Sequence, residues 1–197
     1  MRALFCCIGL LLLVLAHSSC QKTGFATKYG IFHVENDTTV VVNGTIRGRT
    51  EKHWDNLCED YPDIRLMILE DCPGSNNDAA NFRMATRIHS KGINMHLRSH
   101  STIESGAVDL FLAGTQRTRE QGAKVGVHSW SSWRTEGADL PADDPEHTEY
   151  LCYYTGIGMT KEAAEAFYWF TLRAAPSDGM HFMSEAELAT YNVFTNE

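Results

Sequence analysis

The feature that most constrains this chain is an alternation. Residues 38–46 ("TTVVVNGTI"), 64–75 ("IRLMILEDCPGS"), 93–100 ("INMHLRSH") and 123–130 ("AKVGVHSW") read as strands, each rich in β-branched or apolar residues. Between them lie segments of helical character. The first, from Thr50 or Glu51 to Asp60, is broken by Pro62. The second, Asn77 to Ser90, places Phe82, Ala85 and Ile88 at three-residue spacing and meets Gly92, a residue suited to stop it. The third runs from 105 to 114 and ends at Gly114. Strand, helix, strand, helix, strand, helix, strand is the order of an α/β fold with a mainly parallel twisted sheet flanked by helices. The run at 64–75 is continuously apolar before its turn residues, as expected of a strand buried on both faces.

Beyond His128 the pattern changes. Residues 131–150 are polar, contain Pro141 and Pro145, and read as an exposed loop. Helices are expected over roughly 146–156 and 160–173, the latter started by Thr160. The chain closes with a turn, a short strand, a helix carrying the capping box Ser184 and Glu187, and a final strand. The aromatic cluster at 166–170 ("AFYWF") reads as helix core or a subunit interface.

The amino terminus is of another kind. Arg2, an apolar run and the small and polar residues "HSSC" form an export signal over 1–19, too short for the roughly 20 residues of a membrane span. Two processing sites compete. Ala16-His17-Ser18 suits ordinary signal peptidase, whereas Ser18-Ser19-Cys20 resembles a lipobox that would lipidate Cys20 and anchor the chain to the envelope membrane. Residues 20–37 read as a mobile leader and 38–197 as one domain, because the mature length suffices for one well-buried core and not for two. The formal net charge of −8, with no basic run, leaves no means of neutralising phosphates, so no nucleic-acid partner is expected. Outside the signal, Cys20, Cys58, Cys72 and Cys152 are too widely spaced for CxxC chemistry, and the histidines form no ligand motif. No metal and no cofactor are expected.

In open parallel sheets the ligand crevice lies beyond the carboxyl ends of the strands. Pro73-Gly74-Ser75, Ser105 and His128 all fall there. Ser105 is expected in the first turn of a helix, where free N–H groups favour negative charge, and His128 follows 23 residues later on a neighbouring strand. A serine needs a base to take its proton and donors to hold the resulting oxyanion. Ser105 and His128 also fit plainer roles, as an N-cap and a core histidine.

At these residues a resemblance enters. The succession "ILEDCPGS", an amphipathic helix, "ESGAVDLFLAGTQR", "GAKVGVHSW" and "FMSEAELATYNVFT" resembles the Clp protease proteolytic subunit and signal peptide peptidase fold of the crotonase superfamily, in particular its exported branch of predicted periplasmic proteins. The resemblance spans about residues 38–195. It implies Ser105 as nucleophile, His128 as base, and an oxyanion hole at Gly74, Ser75 and Gly106. Ser75 stands where the family has a second glycine, Glu104 where a small residue is usual, and Met180 where the third catalytic member is expected, with Asp178 two residues earlier as the nearest carboxylate. The resulting expectation is an exported serine hydrolase of the cell envelope, acting on a peptide or protein by a Ser/His dyad or Ser/His/Asp triad, and assembled as a homo-oligomer. The rival is a non-catalytic envelope binding protein on the same scaffold. An acyl-CoA enzyme of the superfamily is the third reading, which export opposes because that cofactor is intracellular.

Overall fold

Valine and isoleucine pack well on a pleated surface, and the sheet is built from the runs that contain them. The computed structural model describes residues 27–133 and 135–195. The signal and Cys20 lie outside these residues. The chain enters through β1 (Lys28–Tyr29), β2 (Phe32–Asn36) and β3 (Thr39–Val42), then α1 (Thr50–Asp60), β4 (Leu66–Cys72), α2 (Asp78–Ser90), β5 (Asn94–Glu104) and α3 (Gly106–Leu112). It continues through β6 (Arg117–Arg119), β7 (Lys124–Val127), β8 (Ser131–Ser132), β9 (Thr135–Glu136), α4 (Thr148–Gly156), α5 (Lys161–Ala174), β10 (His181–Phe182) and α6 (Glu185–Thr190).

The main sheet has the order β1-β2-β3-β4-β5-β7-β10, with β6 also paired to β5. Its centre is parallel: β3 with β4, β4 with β5, and β5 with both β6 and β7. Antiparallel β1, β2 and β10 close the two edges. This is the Clp protease and crotonase-like α/β architecture, in a single domain whose core runs from Phe32 and Trp54 at one end to Leu188 and Phe194 at the other.

β5 is longer than its apolar run predicts, because a bulge lets it change partners. Leu97 pairs with Leu69 and Arg119, whereas Thr102 pairs with Asp71 and Lys124. Ser101, fully buried, holds the bulge: its Oγ donates to the Leu69 carbonyl at 2.6 Å and accepts from the Arg98 N–H at 2.9 Å. The second half of β5 thereby swings toward β7 and carries Ser105 to the edge that β7 presents with His128.

Three expectations are corrected here. Residues 28–36, read as part of a mobile leader, form β1 and β2, because Phe32 and Val34 turn into the core while His33 and Glu35 alternate to the other face. Residues 131–150, read as an exposed loop, contain the β8–β9 hairpin and fold back on β7's exit, with the Gly137 N–H bonded to the Trp130 carbonyl at 2.8 Å. The expected final strand is absent among the described residues. Val193 and Phe194 are buried in irregular chain, tied by the Thr195 N–H to the Arg117 carbonyl at 3.0 Å. The helix starts hold closely: Asn77 caps α2, Thr160 caps α5, and Ser184 with Glu187 makes the full capping box of α6.

Candidate active site

Ser105 connects β5 directly to α3, and that abruptness fixes its backbone. Its φ of 52° and ψ of −129° are a conformation that residues with a Cβ rarely take, costing on the order of 1–3 kcal/mol. It stands at the N-cap position of α3, yet its side chain caps nothing. The plain N-cap role is thus not what the hydroxyl performs. The turn is held by the Ser105 N–H donating to the Gly126 carbonyl on β7 at 2.9 Å. A strained serine on a sharp strand-to-helix turn is the geometry by which hydrolases present a nucleophile.

The loop after β4 closes on this turn. A Cβ placed on Gly74, whose φ is +116°, would lie 3.0 Å from the Ser105 Cβ and 3.5 Å from its Oγ. One on Gly106 would lie 2.5 Å from the Ser75 Cβ and 3.0 Å from the Ser75 nitrogen. Only glycines allow the two backbones to approach so closely. Fully buried Asn81 adds a brace from α2, donating to the Gly106 carbonyl at 2.7 Å.

Ser105, Gly106, Val127 and His128 line one end of a cleft that encloses about 40 Å³ of interior space. The Nδ1 of His128 is buried without a hydrogen-bond partner. Asp178 does not line this cleft. It is exposed, in the turn closed by the Gly179 N–H donating to the Pro176 carbonyl. The carboxylate that senses His128 is Glu136 on β9. Burial opposes its ionisation, but hydrogen bonds from Ser177 and Ser129 together with the charge of His128 hold its carboxyl below the usual range. Its Oε1 accepts from the Ser177 N–H at 2.8 Å. No periodicity marks Glu136; it was hidden inside a segment that reads as polar loop. Glu104 and Met180 sit apart from the cleft as well, packed over Gly126, where an added Cβ would meet the Met180 Sδ at 2.6 Å and the Glu104 Cγ at 3.1 Å.

The other end of the cleft is aromatic and acidic. Trp130 stacks on Tyr150 at 5.8 Å and Tyr150 on Tyr168 at 5.2 Å. The Trp130 Nε1 donates to the Tyr168 hydroxyl at 2.8 Å, and that hydroxyl pairs with the His147 Nδ1 at 2.7 Å. Asp78 accepts from Tyr150 at 2.7 Å, and Asp109 from Tyr154 at 2.6 Å. Burial raises the Asp109 carboxyl from 3.8 to about 7, the Tyr154 bond only partly opposing the shift. Asp109 carries a legible signal, being the one charge inside the apolar run of α3, four residues after Ser105. Cys72 is by contrast structural: burial pushes its thiol up to about 12, and it donates to the Gly44 carbonyl at 3.3 Å.

No family model matches the chain, and no curated protein matches it in sequence. Solved structures do match. A serine-to-alanine mutant of the 1510-N membrane-bound stomatin-specific protease aligns over 80% of this chain and 76% of its own, at 16% identity and a TM-score of 0.50. The fold is Clp protease-like. A lysine-to-alanine mutant of the same protease in complex with a substrate peptide aligns over 82% of this chain and 75% of its own, at 15% identity and a TM-score of 0.48.

Proposed function

We propose that this chain is a serine hydrolase of peptidase type, with Ser105 as nucleophile and His128 as general base. The observation that carries the reading is the strained Ser105, free of any capping duty, in a cleft shared with His128. His128 takes the hydroxyl proton as Ser105 Oγ attacks the scissile carbonyl, and returns it to the departing amine. The N–H groups of Gly74, Ser75 and Gly106 supply the oxyanion hole, the two glycines permitting the approach that Ser75 on its own would not. With Asp178 outside the cleft and the His128 Nδ1 without a partner, the reading is a Ser/His dyad, and Glu136 is the carboxylate whose ionisation the His128 charge favours. A protease among the fold's solved members makes a peptide the natural acyl substrate.

Export and a lipid anchor at Cys20 complete the proposal, together with the homo-oligomer expected of a crotonase-like fold. Intact mass of the membrane fraction reads the anchor, and light scattering of the purified chain reads assembly. The binding-protein reading is favoured by one observation, that the buried Nδ1 of His128 has no hydrogen-bond partner among the described residues. Catalytic hydrogen bonds often tighten only when substrate binds. Incubation with a fluorophosphonate probe decides: labelling of the wild type that is lost in both Ser105→Ala and His128→Ala supports the hydrolase, and an unlabelled, folded wild type between pH 6 and 9 leaves the binding protein.

A further inference from the structure

The acidic, aromatic end of the cleft has no part in the acyl-transfer step, and its chemistry is specific. Asp109 is 7% exposed and lines the cleft. Its Oδ1 accepts from the Tyr154 hydroxyl at 2.6 Å, and its backbone carbonyl accepts from Tyr153. Asp78 lines the same space, and none of the described lining residues is lysine or arginine. A buried carboxylate bonded to a neutral hydroxyl, with no lysine or arginine beside it in the cleft, is costly as an anion. That cost is what raises its pKa, and an incoming cation would remove it. The walls agree. The rings of Trp130, Tyr150 and Tyr168, stacked on one another, line the same space and offer an apolar wall to the methylene stem of a cationic side chain. Among the described residues no three ligating side chains gather to hold a metal ion, whereas two carboxylates beside a ring suit one organic cation.

We infer that this end of the cleft is the side-chain pocket of the substrate, and that it takes a lysine or arginine whose cationic head lies against Asp109 and Asp78 between the aromatic walls. The inference rests on the Ser105 reading for its role in cleavage: Asp109 lies one helical turn beyond Gly106, so a residue whose carbonyl is at Ser105 reaches it with its own side chain. The pocket itself stands without that reading and is tested without it.

The probe is p-aminobenzamidine, an aryl cation whose fluorescence rises on desolvation, titrated at pH 8 into the full mature chain, with p-aminobenzamide as its neutral counterpart. Binding of the amidine, absence of binding of the amide, and a loss of affinity of about tenfold or more in Asp109→Asn are expected. Asp109→Asn retains an acceptor for Tyr154, and Asp78→Asn, on the half-buried side of the cleft, serves as the second variant with a smaller loss expected. The Ser105→Ala protein binds the amidine as the wild type does. Equal binding of amidine and amide, or no change in both Asp variants, overturns the inference. Peptidyl aminocoumarins then link pocket to cleavage: kcat/KM at least tenfold higher for Lys or Arg than for Leu before the scissile bond, with that preference lost in Asp109→Asn. If the amidine binds in an Asp109-dependent way while fluorophosphonate labels nothing, the pocket stands and the hydrolase falls; if labelling succeeds and the amidine is ignored, the reverse holds.

Discussion

Two regions of this molecule are equally dry and differently built. Around Trp54, α1 and the first strands bury Phe32, Val40, Val42 and Leu57, with the Phe32 and Trp54 rings 5.8 Å apart and no ionisable side chain among them. Around Asp109, α3, α4 and α5 bury Tyr153, Tyr154 and Tyr168, whose hydroxyls bond to the Asp109 backbone carbonyl, the Asp109 carboxyl and the His147 ring. The first region maximises apolar area, whose worth does not depend on pH. The second keeps polar groups from water by pairing them, so its stability depends on protonation state. A region that retains a buried carboxyl where a leucine would pack is organised for something other than stability.

The largest test of this contrast is Trp54→Ala, which leaves a cavity in the apolar region. It should cost about 3–5 kcal/mol in urea unfolding, by the same amount at pH 5 and pH 8. Asp109 behaves otherwise. Unfolded, its carboxyl ionises above about 3.8; folded, it holds its proton to about 7. Between those values the native state binds more protons than the unfolded one, so wild-type stability should fall as pH rises, by up to about 1 kcal/mol per pH unit, and level off above the folded value. Asp109→Asn removes this slope. A wild type as flat as the variant between pH 4 and 7 would break the contrast.

Smaller effects sharpen it. Ser105→Gly relieves the backbone strain and should raise stability by about 1 kcal/mol, seen as a higher Tm, whereas Ser105→Ala keeps the Cβ and gains nothing. Both lose fluorophosphonate labelling. The least effect is expected at the entry to α5, where the Thr160 hydroxyl accepts from the Ala163 N–H at 3.2 Å: Thr160→Ala should cost about 0.5–1 kcal/mol with labelling unchanged.

Local rules made much of this legible. Helix starts at Asn77, Thr160 and Ser184 are written as caps, and β4 announces itself as an apolar run, because these features depend on residues within a few positions of each other. The segments misread were those whose partners are distant. β1 and β2 are polar enough to pass for a leader until β3 pairs with β2 and β2 with β1, and β9 looks like loop until Ser177 approaches Glu136 from 41 residues away.

The candidate site divides along the same line. Ser105, His128, Gly74 and Gly106 could be named from sequence because strand ends in a parallel sheet share one edge, a consequence of chain order. Whether a carboxylate attends His128, and which one, could not be named, since Asp178 and Glu136 are separated by tertiary folding and by nothing in their neighbours. The positive φ of Ser105 is likewise a product of β5 and α3 being pulled together by the Gly126 bond and the Gly74 loop. The sequence by itself determined the strands, the helices and the edge on which chemistry sits, because periodicity and capping act over a few residues. Only the tertiary structure decided which groups share the cleft, because burial of Asp109 and the closing of Glu136 on β7's exit depend on contacts between segments far apart in the chain.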